Sequence, residues 1–187
     1  MLVGNEAYIP IGTGYELLET QVLGSTQTSI TFSNLNATYS GTYQHLQLVA
    51  TVRSNRNDTD DIAYITFNGD TAANYYAHRL RGNGSNVVSE YLSAGYPNGM
   101  LTYGSFAGAT AGTGVYGVMI LDLPDAFETT KKKTIKILEG QAGAYKLVEL
   151  VSGAWNNTNA ITSININPYF GDLVSGSRFS LYGLRSA

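Results

Sequence analysis

The sequence has no cysteine, 4 prolines and 2 histidines, and charged residues make up only 13% of its 187 positions. Without cysteine there is no disulfide and no thiolate metal site, and the usual clue to redox compartment is missing. The 11 Lys+Arg and 14 Asp+Glu leave a net charge of -3 and a pI near 5.3. That balance offers nothing to phosphate backbones or anionic bilayers, so neither nucleic acid nor a membrane is expected as a partner. No apolar run approaches the roughly 18 residues of a spanning helix. The start, Met-Leu-Val-Gly-Asn-Glu, lacks the basic flank and long apolar centre of a secretory signal, so a protein made and kept in solution is expected.

With charge this scarce, Asn, Thr, Ser, Gly and Tyr must cover the surface. Counts of 14 Tyr against 6 Phe and 21 Gly against 4 Pro suit a twisted all-β protein with many tight turns. They also suit a surface partly covered by neighbouring molecules. The length fits one domain with a well-buried core. Residues 1–18, with Gly4, Pro10, Gly12 and Gly14 in a mildly apolar context, read as an extended arm, and residues 19–187 as the domain.

The central stretch is Tyr43 to Asp70. Leu46, Leu48, Ala50 and Val52 recur at period two against His45, Gln47, Thr51 and Arg53, broken only by Val49, the pattern of a half-buried strand. A polar loop of Asn, Asp and Ser separates it from a second run, Ile62 to Phe67, and the pair is expected to form a hairpin. Glu19 to Leu23 and Gln27 to Phe32 are expected to form another. Asn68-Gly69 is a turn signal, and Thr71 to Arg81 carries a weak helical stripe of Ala72, Ala73, Tyr76, Ala77 and Leu80. Asn86 to Leu92 reads as a strand, and the Gly-rich stretch from Ser93 to Gly114 either forms a surface loop or hides a short strand at Met100 to Tyr103. Strands follow at Val115 to Leu123, Lys131 to Glu139, Tyr145 to Ser152, Ala160 to Asn167 and Arg178 to Arg185. Their imperfect alternation, as at Leu138, predicts strands lying between two layers. Roughly ten strands without a long helical period predict an antiparallel β-sandwich, jelly-roll-like.

Chemistry-bearing patterns are few. Gly112-Thr-Gly-Val-Tyr-Gly117 matches a dinucleotide fingerprint but lacks the preceding strand and following helix that would aim a helix N-terminus at a pyrophosphate. Asn55, Asn57, Thr59 and Asp61 space oxygens like a calcium loop, yet Asp60 and Thr66 stand where the sharp-turn Gly and the closing Glu belong. His45 reads as a hydrogen-bonded structural residue, since no serine nucleophile elbow accompanies it. Lys131-Lys132-Lys133 reads as a solvated strand start. Asn36, Asn57, Asn83 and Asn156 open glycosylation sequons that an Asn- and Thr-rich composition produces unaided. Trp155, with Tyr96 and Tyr103, is the candidate platform for stacking a glycan, against the competing reading of core and interface aromatics. No catalytic residue, cofactor or metal is expected.

Six phrases are more specific: Tyr43-x-His-Leu-Gln-Leu, Phe67-Asn-Gly-Asp-Thr with Asn74-Tyr75, Lys133-Thr134, Ser152-Gly-x-Trp155, Ala160-Ile-Thr-Ser-Ile164 and Gly176-Ser-Arg-Phe-Ser-Leu-Tyr-Gly183. Together, over about residues 15 to 185, the chain resembles a family of small tailed-bacteriophage virion proteins common in aquatic phages. The resemblance implies a jelly-roll-like sandwich, a structural role on the particle and no enzymatic activity, and it supplies no catalytic residues. Members are labelled as capsid decoration or tail-fibre proteins. The expectation is therefore a virion-surface protein, made in the host cytoplasm, that decorates or cements the capsid. Its partners would be further copies of itself, as a homotrimer, and the major capsid protein or other virion proteins, with Met1, Leu2, Val3, Tyr8 and Ile9 as candidate contacts. The alternative is a tail-fibre or receptor-binding module for host carbohydrate. A glycan-degrading enzyme would need a close carboxylate pair in a cleft.

Overall fold

In the computed structural model, which describes residues 14–96 and 98–185 with backbone alone at 92–96, 101 and 103–105, the alternating residues Leu46, Leu48, Ala50 and Val52 are all buried. They lie on β3 (His45–Val52), which follows β1 (Tyr15–Val22), β2 (Ile30–Phe32) and a single helical turn, α1 (Leu35–Tyr39). The chain continues through β4 (Asp60–Phe67), β5 (Tyr75–Gly82), β6 (Val87–Tyr96), β7 (Met100–Ala107) and β8 (Gly117–Leu123). It ends with β9 (Lys133–Ala142), β10 (Lys146–Trp155), β11 (Ile164–Pro168) and β12 (Arg178–Leu184).

These strands form two antiparallel sheets, one of eight strands in the order β1-β12-β3-β8-β9-β10-β5-β6 and one of four in the order β2-β11-β4-β7. The fold is an all-β sandwich. The core lies between the sheets. Leu48, Met119, Leu121, Ile135, Ile137 and Leu181 from the large sheet meet Ile65, Phe67, Ile164 and Phe32 from the small one, all fully buried. One end is closed by Trp155, whose ring lies 5.8 Å from Phe67 and whose Nε1 donates to Asp70 Oδ2 at 2.7 Å. The Tyr75 hydroxyl receives the Phe67 amide at 3.0 Å and donates to the Asp70 carbonyl at 2.9 Å. The turn between them is the expected Asn68-Gly69, with positive φ at both residues (55° and 68°).

Several sequence expectations change. Only β5/β6, β8/β9 and β9/β10 are both consecutive and hydrogen-bonded to each other; every other connection crosses between sheets. So β3 and β4 are not a hairpin: β3 pairs with β12 and β8, and β4 with β11 and β7. The same holds for β1, paired with β12, and β2, paired with β11. A strand with one apolar face can pair within its own sheet or cross the core, and its sequence carries the same alternation either way. The stretch Thr71 to Arg81 holds no helix. Tyr75, Ala77 and Arg79 are buried at period two on β5, and alanines at 72, 73 and 77 only imitated a helical stripe. The hidden strand at Met100 is real and runs on to Ala107. At the N-terminus, β1 begins at Tyr15, so Tyr15 to Leu18 belong to the sheet rather than to the expected arm. Residues 1–13 of that arm, including Met1, Leu2, Val3, Tyr8 and Ile9, lie outside the described residues.

Candidate functional site

Antiparallel register aligns side chains into rows across a sheet face. On the outer face of the large sheet one row has no charge from one side to the other. Val49 lies opposite Ile120, Ile120 opposite Leu138, Leu138 opposite Leu150 and Leu150 opposite Leu80, with Ser180 and Ser89 at its ends. Leu138 and Leu150 are 45% exposed and Leu80 51%. The next row holds Val118, Gly140, Val148, Gly82 and Val87. Two glycines interrupt it, and the sheet is dented at Gly140. Val118, Val148, Leu138, Ala142 and Tyr116 line this depression of about 460 Å³. Gly140 has no room for a side chain, because a Cβ there would sit 2.5 Å from the Leu147 carbonyl oxygen. Tyr116 is held at the rim by its hydroxyl bond to the Ser175 carbonyl, 3.0 Å.

The row on the other side is polar. Tyr15 stacks on Tyr182 at 4.5 Å and donates to Gln47. Gln47 donates to Asp122 at 2.6 Å, and Asp122 pairs with Lys136 at 2.8 Å. Against the pull of burial, Lys136 and Gln47 hold the Asp122 carboxyl below the usual range. An apolar, uncharged centre with an aromatic and ion-paired rim is the anatomy of a protein–protein interface. Contiguous apolar surface beyond a few hundred Å² is uncommon on a monomer.

A carboxylate pair of the kind the enzyme reading would require is present, and one member, Glu139, also lines the depression. Glu139 and Glu149 face each other across β9 and β10 on the inner face, 2% and 0% exposed. Arg79 lies 3.8 Å from Glu149 and also binds Glu90. Burial pushes the Glu149 carboxyl up to about 7, opposed by Arg79 and Arg81 and reinforced by Glu90. An acid whose pKa rises on folding holds its proton more tightly in the folded state, so its contribution to stability falls as pH rises from the ordinary 4.5 through about 7. Thermal midpoints measured between about pH 5 and about pH 8 should decline for the wild type and lose that decline in Glu149→Gln. Equal slopes in the two proteins would remove Glu149 as the cause.

The sequence-named candidates are scattered. Trp155 is 1% exposed and bound to Asp70, so it offers no free face to a sugar; this corrects its place as a stacking candidate, since a core aromatic at a sheet end was the competing reading. Tyr96 and Tyr103 lie on β6 and β7, and their side chains lie outside the described residues. His45 is hydrogen-bonded as expected, with the Asp125 amide donating to Nδ1 at 2.8 Å. His78 lies 3.1 Å from Ser89 Oγ. In the calcium-like loop, Asp61 accepts from the amides of Ile62, Phe170 and Gly171, and Arg56 pairs with Asp58 at 2.9 Å. No group of three or more His, Cys, Asp or Glu gathers among the described residues. Gly112 and Gly114 take positive φ in a loop before β8, whose carbonyls at Gly112 and Val115 Arg53 ties down. Of the three lysines, Lys133 is not solvated: it is 1% exposed, and its ammonium, which burial lowers in pKa, caps the carbonyls of Glu128, Lys131 and Thr158.

Sequence reasoning missed a second surface feature. Beside the small sheet, Tyr64 and Tyr169 lie 5.2 Å apart, Tyr169 and Phe170 4.4 Å apart, and the Arg56 guanidinium covers Phe170 at 4.2 Å. Tyr169 is 46% and Phe170 58% exposed. The adjacent Tyr-Phe pair was the available signal. The structural features stand by themselves, because no protein-family model matches the chain and no curated protein matches it.

Proposed function

We propose that this chain is a structural protein of a bacteriophage virion, carried on the particle surface, where it decorates or cements the capsid as a homo-oligomer in contact with the major capsid protein. The observation that carries this reading is the uncharged apolar band with its central dent on the open face of the large sheet. A β-sheet face of this composition gains by being covered, and a low-charge shell component covers it with protein. The resemblance of the six phrases to virion proteins supports the same reading. The test is to add purified protein to particles that lack it and to measure rebinding to heads, with adsorption to host cells in parallel. Retention on heads is the expected result. Strong adsorption to cells with no affinity for heads would overturn it.

That second outcome would favour the carbohydrate-binding alternative, and a different surface from the one first considered supports it. The half-exposed Tyr169 and Phe170, with Arg56 beside them, offer an aromatic patch and a cation at one place. On this reading Phe170→Ala would abolish glycan binding while leaving head binding untouched.

A further inference from the structure

The dent at Gly140 needs an occupant, and the chain carries a fitting one before its first strand. Met1 to Thr13 contains Leu2, Val3, Tyr8, Ile9 and Ile11, and Glu6 is its only charged side chain. That is the composition of the band itself: apolar and almost free of charge.

Reach and direction decide whose segment it is. Tyr15 lies in the row of Leu184, and the dent lies in the row of Arg178, six residues along β12 and four strands across the sheet. At ~3.3 Å per residue and ~4.8 Å per strand, the dent is about 28 Å from the start of β1. Thirteen residues extended reach about 44 Å at most. However, β1 runs from Tyr15 towards the row of the dent, so its first residue is at the end of the sheet away from the dent. Gly14 still pairs there, its carbonyl accepting the Arg185 amide at 3.1 Å. Traced towards the N-terminus, the backbone at Tyr15 and Gly14 points away from the dent. A return would need a reversal followed by a crossing of the polar row of Gln47, Asp122 and Lys136.

We infer that the dent at Gly140 is the seat of the apolar Met1 to Thr13 segment of a neighbouring copy. This deepens the self-association part of the reading above. It is tested on purified protein, so failure here leaves capsid attachment to be judged by rebinding to heads. The absence of cysteine makes disulfide trapping specific. Full-length Ile9→Cys and Val148→Cys proteins, mixed and mildly oxidised, should give a cross-linked dimer on a non-reducing gel. Ile9→Cys mixed with Phe170→Cys, in the bend after β11 and 58% exposed, should give several-fold less. A chain carrying both Ile9→Cys and Val148→Cys should form intermolecular species. A monomer bridged within itself would show that the segment covers its own dent. Equal trapping at Phe170 would reduce the contact to random collision, and no trapping at Val148 would mean another occupant. Each of these three results overturns the inference.

Discussion

Replacing Leu48 by Asp should remove much of the fold's stability. Leu48 is fully buried in the middle of β3, between Leu181 of β12 and Leu121 of β8. A carboxyl there loses the transfer energy of the leucine and gains neither water nor a partner, so the cost should be at least ~4 kcal/mol. Domains of this kind have about 5–15 kcal/mol in total. Three residues along the same strand, Thr51→Asp points to the exposed outer face and should change stability by less than about 0.5 kcal/mol. Urea unfolding of the two variants beside the parent makes the comparison. A Leu48→Asp protein that unfolds cooperatively near the parental midpoint would mean that the buried and open faces have been assigned the wrong way round.

That contrast between faces was readable from one strand of sequence, because alternation reports which side is buried. Leu46, Leu48, Ala50 and Val52 needed no structure. The pairing partners were a different matter. Eight connections out of eleven run from one sheet to the other, and nothing local distinguishes a crossing from a hairpin unless a two-residue turn enforces the hairpin. Lys133 was misjudged for a related reason, and Trp155 follows the competing core reading for the same one. An aromatic or a lysine near a strand end becomes part of the core when carbonyls or a carboxylate are present to satisfy its N–H groups, and Asp70, Glu128 and Thr158 come from elsewhere in the chain.

The band is the most instructive case. Val49 and Leu138 break otherwise regular alternation: the strand of Val49 reads as half-buried despite the break, while the break at Leu138 reads as a strand between two layers. The structure places a layer on one side only. Val49 and Leu138 fall in the same outer row, joined through Ile120, and the second layer is not provided by residues 14–96 and 98–185 of this chain. The signal for an apolar outer face was therefore present in the sequence. Single-strand reading also cannot align residues from five strands into one row, because the register comes from distant segments.

The central claim is that this outer face is a protein interface, and introducing a charge into it should have a large effect. Leu150 sits in the uncharged row, 45% exposed between Leu138 and Leu80. Leu150→Asp should hardly disturb the folded subunit, but on association it would bury a charge without a partner, costing at least ~2 kcal/mol per contact and so more than about tenfold in affinity. The direct measurement is molar mass by light scattering for the wild type and Leu150→Asp across micromolar concentrations, with unfolding midpoints recorded in parallel. The account predicts an oligomeric wild type and a Leu150→Asp protein that is monomeric yet still folds and unfolds cooperatively, its midpoint lower by no more than the lost association accounts for. A wild type that stays monomeric at every concentration, or a variant that assembles as well as its parent, would contradict it.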